Sequence, residues 1–209
     1  MLDLAAVLLL AQTCAPGVAP ETLAAIAHVE SRFDPLAIGV NRGARPSRRA
    51  RTAAEAASAA RVLIARGGNL DLGLAQINSA NLGWLRLSVE DAFDPCRNLE
   101  AAGMVLRAGY RPRGGSAPER QDALRVALSR YNTGDATRGF RNGYVSKVET
   151  AAVRLNLALR PPAPPGATSS DPLPSRERLA PTPAPPAWDV FARARATLVF
   201  SPTVERSPS

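Results

Sequence analysis

Residues 20–31 read Pro-Glu-Thr-Leu-Ala-Ala-Ile-Ala-His-Val-Glu-Ser, and the reading of the whole chain turns on them. Proline is tolerated in the first turn of a helix, where an N–H would have no partner, and an acid beside it complements the helix dipole. The segment predicts a helix that opens at Pro20 and Glu21 and runs to about Ser31. It must stop before Pro35, whose ring disfavours helical geometry in the preceding residue. Leu23, Ile26, Ala27 and Glu30 recur at spacings of three and four, so they share one stripe. A carboxyl group therefore stands at the end of an apolar face. Partial exclusion of water disfavours its charged form and raises its pKa. That is how a glycosidase keeps a glutamic acid protonated near neutral pH. Taken alone, the plainer reading of Glu30 is a helix-end glutamate reaching back to solvent, because buried acids are rare.

Outward from this segment the pattern stays helical. Leu4 to Ala11 is an apolar run, too short to span a bilayer, that reads either as the core of an export leader or as an N-terminal helix ending near Cys14. Asp3 stands where a leader would be basic, which favours the helix. Thr52-Ala53-Ala54-Glu55 is a capping box opening a helix to about Arg66, closed by Gly67-Gly68. Ser88 caps a short helix ending before Pro95, and further helices are expected at about 98–109, 119–131 and 144–158. Residues 39–51 and 111–118 read as loops, and no alternating run is long enough to predict a strand. The expected fold class is mainly α.

Composition changes near residue 160. Twelve of the 19 prolines fall within 161–209, a density that prevents helices and predicts a disordered, extended tail. One apolar island, 188–200, interrupts it and reads equally as a weakly ordered segment or as a docking motif. The expected organisation is one catalytic domain over 1–160 followed by the Pro-rich tail 161–209.

Charge and rare residues narrow the chemistry. The net charge is +8, and Lys147 is the only lysine among 26 basic side chains. That balance suits a polyanionic partner, although arginine bias alone says little. A basic helical nucleic-acid binder is disfavoured, since no helix-turn-helix pattern or basic helix face is visible. With one histidine, His28, and two cysteines, Cys14 and Cys96, no metal site is expected. A serine-histidine-acid triad would have to use His28, which has no nucleophile elbow near it. The cysteines read as a disulfide in an oxidising compartment or as small buried thiols.

Two further segments carry polar groups among apolar ones. In Gly73-Leu74-Ala75-Gln76-Ile77-Asn78, two neutral amides two residues apart have the chemistry to hydrogen-bond sugar hydroxyls and N-acetyl groups. Gly73 would let a ligand or the catalytic helix approach the backbone. The plainer reading is a loop-to-helix junction with Asn78 as a local cap. In Ala127-Leu128-Ser129-Arg130-Tyr131-Asn132-Thr133-Gly134, Leu124, Ala127, Leu128 and Tyr131 line one helix face, which Asn132 and Gly134 end. Tyr144 opens a later helix. Most tyrosines in such places are core.

In order and spacing these segments resemble the soluble lytic transglycosylases, whose motifs are Glu-Ser, Gly-Leu-x-Gln-Ile-Asn, Ala-x-x-x-Tyr-Asn-x-Gly and a late tyrosine. They stand here at Glu30-Ser31, Gly73–Asn78, Ala127–Gly134 and Tyr144. The subgroup associated with type IV secretion systems is closer still, through Cys14–Pro16, Val18–Thr22, Asp94–Asn98 and Tyr131–Gly134. The resemblance covers about 10–150. Ala75 departs from it, where the family usually has methionine, and Asp34 replaces the more usual asparagine.

The resemblance implies a lysozyme-like helical domain of the goose-type lysozyme and lytic transglycosylase kind. It implies cleavage of the bond between N-acetylmuramic acid and N-acetylglucosamine in peptidoglycan. Glu30 would be the one catalytic group, first acid and then base, with the substrate's acetamido group stabilising the cation and a 1,6-anhydro ring as product. Gln76 and Asn78 would hold the sugars, Tyr131 would orient Glu30 or the acetamido group, Asn132 would support that geometry, and Tyr144 would close the cleft. No cofactor is expected. The expected partners are glycan strands and, through the tail, type IV secretion components, for a monomer expected in the periplasm of a Gram-negative bacterium without stable membrane insertion. Asp34 and Asp71 are the alternative second carboxylates of a true hydrolase, with Asp71 more simply a cap before Gly73. A non-catalytic wall-binding adaptor is the remaining alternative. The arginines at 42 and 45–51 read as a solvated loop, or as an attractor of peptide-stem carboxylates.

Overall fold

A computed structural model describes residues 1–159; the Pro-rich segment expected at 161–209, with its apolar island at 188–200, lies outside the described residues. The chain order is α1 (Leu4–Cys14), α2 (Pro20–Ser31), β1 (Ile38–Arg42), α3 (Ala53–Ala65), β2 (Asn69–Leu72), β3 (Ile77–Asn78), α4 (Leu82–Leu85), α5 (Pro95–Gly109), α6 (Ala117–Thr133), α7 (Arg138–Arg141) and α8 (Tyr144–Leu159). Single 3-10 turns lie at Ser79–Asn81 and Asp91–Phe93.

Local chemistry accounts for most helix ends. Asp3 caps α1 by accepting from Ala6 N, and Asp94 caps α5 by accepting from Arg97 N. Thr52 accepts from Glu55 N, as expected, but the Glu55 carboxylate reaches Arg51 N, one residue before the cap. The reciprocal capping box is at Ser116 and Glu119, which starts α6 earlier than its apolar pattern does. Helix α2 opens on Pro20 and ends where Arg32 and Phe33 turn left-handed, at φ 55° and 66°.

Helix α2 is the axis of the core. Leu23, Ala24, Ala25, Ile26 and Ala27 are all fully buried, so the helix is enclosed on every side instead of presenting one apolar stripe. Its alanines let α1 and α8 pack close against it. Helix α1 buries Val7 and Ala11 in the same core, and no helix among the described residues is long and apolar enough to cross a membrane. A disulfide joins Cys14 to Cys96 across a sequence separation of 82, tying the end of α1 to the start of α5. Closing a loop of that length restricts the unfolded chain and stabilises the fold by about 2–4 kcal/mol.

One expectation is overturned. The segments read as a loop at 39–51 and as a loop-to-helix junction at 73–78 include strands. An antiparallel sheet of order β1-β2-β3 pairs Gly39 with Asp71 and Asp71 with Asn78. The strands of this sheet are five, four and two residues long, too short for alternation to register in sequence. Along β2 the pattern is nonetheless present. Leu70 and Leu72 are buried, while Asn69 and Asp71 face the other way. The register shifts between Val40 and Arg42, leaving Asn41 as the extra residue of a bulge.

Candidate active site

Glu30 lies on the last turn of α2 and Tyr144 is the first residue of α8, so the packing of these two helices fixes their separation. The Tyr144 hydroxyl donates a 2.6 Å hydrogen bond to Glu30 Oε1. Burial lifts the Glu30 carboxyl from 4.5 to about 7; the Tyr144 bond pulls it down, and the negative charge of Asp71 pushes it up further. Burial outweighs the hydrogen bond. At neutral pH both protonation states of Glu30 are therefore populated, as a group that donates and then recovers a proton requires.

The tyrosine is itself held. Asn142 Oδ1 accepts from Tyr144 N at 3.0 Å, and Asn142 Nδ2 donates to Asn132 Oδ1 at 2.9 Å. Asn132, on α6, thus reaches the acid through Asn142 and Tyr144. Burial holds the Tyr144 phenol well above its usual range, with the charge of Glu30 adding to the effect, so this phenol remains a donor. Of the two tyrosines it is Tyr144 that hydrogen-bonds Glu30, where the expectation gave Tyr131 the orientation of Glu30 or of the acetamido group. Tyr144 holds Glu30, whereas Tyr131 donates to Ala75 O at 2.7 Å. Burial pushes the Tyr131 phenol well above its ordinary value, and the charges of Glu30 and Asp71 both reinforce this. Tyr131 therefore anchors the turn.

That turn, Gly73–Gln76, is fixed from beneath. Asn98 is fully buried in α5. It donates to Leu72 O at 2.9 Å and to Ala92 O at 2.7 Å, and it accepts from Ala75 N at 2.7 Å. Gly73, at φ 74°, is required because a Cβ there would collide with Ala92 O and lie 2.5 Å from Asn98 Nδ2. The close approach that the fold itself requires here is thus to α5 and the segment before it. Ser31 joins the end of α2 to the same turn, donating to Leu74 O at 2.6 Å.

The two amides expected to grip sugar are largely engaged within the protein. Gln76, left-handed at φ 53°, donates from Nε2 to Gly73 O at 2.8 Å and to Ala37 O at 3.2 Å. Its Oε1 lies over Gly39, where an added Cβ would come within 2.6 Å. Asn78 donates to Asp71 Oδ1 at 2.7 Å and to Asn69 Oδ1 at 2.9 Å, and it accepts from Asn69 Nδ2 and Ala80 N. Both its hydrogens and both its lone pairs are occupied. Asn78 therefore acts on Asp71 and caps the 3-10 turn at 79–81.

Asp71 is not a cap before Gly73. It lies mid-strand, held by Asn78 and by Asn41 Nδ2, which donates to Oδ2 at 2.6 Å. Asp34 is directed elsewhere. It accepts from Leu36 N, as a turn before Pro35 should, and from Arg49 at 2.5 Å. Arg48 lies 3.6 Å from Glu55, so two arginines of the 45–51 cluster already have acidic partners. A cavity of about 380 Å³ between that loop and α3 is lined by Arg45, Arg48 and Arg66 and includes neither Glu30 nor Asp71. Among the described residues no group of three or more His, Cys, Asp or Glu side chains is placed to hold a metal ion.

Asn41, Asn69 and Asn98 were not identified as site residues from sequence. For Asn98 a signal existed. An amide flanked by Leu99, Ala101 and Ala102 on a helix face must find buried partners.

Comparison with known proteins places this geometry in context. The family described as "Transglycosylase SLT domain" matches residues 8–153. "Protein virB1" of Agrobacterium fabrum is 48% identical over 145 residues, covering 69% of this chain and 58% of that protein. "Protein virB1" of Rhizobium radiobacter is 47% identical over 152 residues, covering 73% and 63%. "Type IV secretion system protein virB1" of Brucella abortus is 44% identical over 151 residues, covering 69% and 63%. The match thus spans about three-fifths of the length of these relatives. No solved structure matches the chain significantly.

Proposed function

This chain belongs to the SLT transglycosylase family, and from that premise we propose that it cleaves the β-1,4 bond between N-acetylmuramic acid and N-acetylglucosamine in peptidoglycan, with Glu30 as the single proton carrier. The observation that carries the reading is a buried carboxyl raised to about 7 and held by a neutral phenol. Protonated Glu30 gives its proton to the glycosidic oxygen. The C1–O bond breaks, its electron pair leaves with the N-acetylglucosamine oxygen, and positive charge develops on the muramyl ring. The resulting Glu30 carboxylate is stabilised by Tyr144, which donates without losing its own proton. That carboxylate then takes the proton of the muramyl 6-hydroxyl as O6 bonds to C1, giving the 1,6-anhydro end and restoring the acid.

In this reading Asn132 and Asn142 keep Tyr144 in register, and Tyr131 sets the height of the Gly73–Gln76 turn. Gln76 retains one free acceptor for the glycan. The name of the Brucella relative, a type IV secretion system protein, supports extending the role to local opening of the cell wall for such an apparatus, in the periplasm. Secretion components are then the proposed protein partners.

Mass spectrometry of muropeptides released by wild type and by Glu30→Gln tests the reaction. Wild type should release anhydro-muramyl ends, and Glu30→Gln should release none while remaining folded. Reducing ends instead would identify a hydrolase, and undiminished release by Glu30→Gln would remove Glu30 from the mechanism.

A further inference from the structure

We infer that the cavity between the 45–51 loop and α3 is a second binding site, which takes the acidic peptide stem carried by the glycan strand. This role rests on peptidoglycan being the substrate and deepens that reading. The cavity measures about 380 Å³, within the range of about 300–1,000 Å³ typical of ligand pockets. Arg45, Arg48 and Arg66 line it against one acid, Glu55. The Glu55 carboxylate is already engaged, by Arg51 N at 2.9 Å and by Arg48 at 3.6 Å. The guanidinium groups of Arg45 and Arg66 form no ion pair among the described residues. Between these charges the lining is small and apolar, with Ala59, Leu63 and a Val62 that is 48% exposed.

The loop that closes the cavity is held in shape. Arg49 reaches Asp34, just after α2, at 2.5 Å, and Glu55 on α3 fixes the backbone at Arg51. A loop that only carried charge into solvent would need neither tie. Among the described residues that line the cavity there is no aromatic ring and no amide side chain, so it lacks the groups that recognise neutral sugars or stack on bases. Unpaired guanidinium groups beside small apolar side chains instead suit carboxylates joined by short, methyl-bearing residues. That is the chemistry of a peptidoglycan stem. Strand β1 connects the two sites. Gly39 lies beneath Gln76 Oε1, and the strand ends at Arg42, where the loop begins. The step from Gly39 to Arg42 covers about 10 Å. An extended stem of about four or five residues spans up to about 13–18 Å, long enough to follow β1 from a muramyl ring beside Gln76 to the arginines.

The test titrates full-length Glu30→Gln with uncrosslinked glycan strands of equal length. One set bears tetrapeptide stems, a second bears stems whose carboxylates are amidated, and a third is stripped of stems. Strands with free stem carboxylates should bind about tenfold more tightly than either of the others. Replacing both Arg45 and Arg66 by Gln in the same protein should remove that advantage and leave the Kd of stripped strands within about twofold. Arg111→Gln with Arg113→Gln, an equal loss of charge in the loop between α5 and α6, should leave the advantage intact. Raising salt from about 0.05 M to about 0.5 M should abolish most of it, since the pairs are exposed. Equal binding of the three strands, or none, overturns the site. So does an Arg45 and Arg66 replacement that weakens stripped and stem-bearing strands alike, or a control pair that costs as much. If the Arg45 and Arg66 replacement does not fold, the amidated strands decide: binding as tight as that of the free carboxylates overturns the site. Because binding is read apart from turnover, wild type that makes no anhydro ends defeats the proposed reaction but not the site. Normal anhydro release without any advantage from stems defeats the site alone.

Discussion

The two sides of the candidate site are built in opposite ways. On the helical wall, α2 and α8 satisfy their own backbones, so the side chains of Glu30 and Tyr144 are left to meet each other, and the carboxyl keeps an oxygen for chemistry. On the sheet wall the backbone between Gly73 and Gln76 cannot satisfy itself. Asn98, Ser31, Tyr131 and Gln76 all commit polar atoms to its N–H and C=O groups. The wall made of regular structure is free to be reactive, and the wall made of a turn needs its polar residues to exist at all. Amide-rich stretches near an acid are therefore poor evidence of sugar contacts until their hydrogen bonds have been counted.

The strongest way to break this contrast is to remove the support of the turn. Asn98→Ala would leave Ala75 N, Leu72 O and Ala92 O buried without their partner, at about 1–3 kcal/mol for each group. A total destabilisation of about 4 kcal/mol is expected, read by urea unfolding at neutral pH. Cleavage should fall with it, because the turn carries Gln76 and abuts the end of α2. A loss under about 1 kcal/mol would mean that water replaces the amide, and that the turn holds itself.

The acid wall should respond to pH instead. Glu30 has a folded pKa of about 7 against 4.5 for its unreacted reference, so between those values the folded chain binds the proton more tightly than the unfolded one. The wild-type fold thus loses stability as pH rises from about 4.5 to about 7 and does not regain it above. With about 1.4 kcal/mol for each pKa unit, the cost reaches about 3 kcal/mol. Glu30→Gln cannot ionise, so it should be more stable than wild type by about that amount at pH 8 and nearly equal to it at pH 4. Equal differences at the two pH values would show that the carboxyl is not appreciably desolvated.

The same contrast explains what could be read from sequence. Helix α2 and its terminal acid were legible because a helix writes its faces at spacings of three and four, and because Pro20 and Pro35 mark where it can begin and must end. Strands β1 to β3 were not. Two to five residues give too few alternations, and the sheet exists because β2 is already held between β1 and the turn over Asn98. The site residues divide along the same line. Glu30 could be named from its own helix, but the partners of Asn78, Asp71 and Tyr131 come from pairing and packing that no local pattern records. The bond between Tyr144 and Glu30 spans 114 positions, so no local pattern could have recorded it either.

Tyr144→Phe gives the smallest and most local test. The phenol donates to the carboxylate form of Glu30 and so lowers its pKa. Without the hydroxyl, that pKa rises above about 7 and the alkaline limb of the rate profile should move to higher pH. At acid pH, where Glu30 starts protonated in both proteins, kcat should still fall by about tenfold, since the carboxylate formed by proton donation loses one charge-assisted hydrogen bond of roughly 1.5 kcal/mol. The ring remains packed against α2, so thermal stability should change little. A limb that moves to lower pH would mean that Tyr144 serves mainly to keep water from the acid, and the helical wall would then act by exclusion instead of by its hydrogen bond.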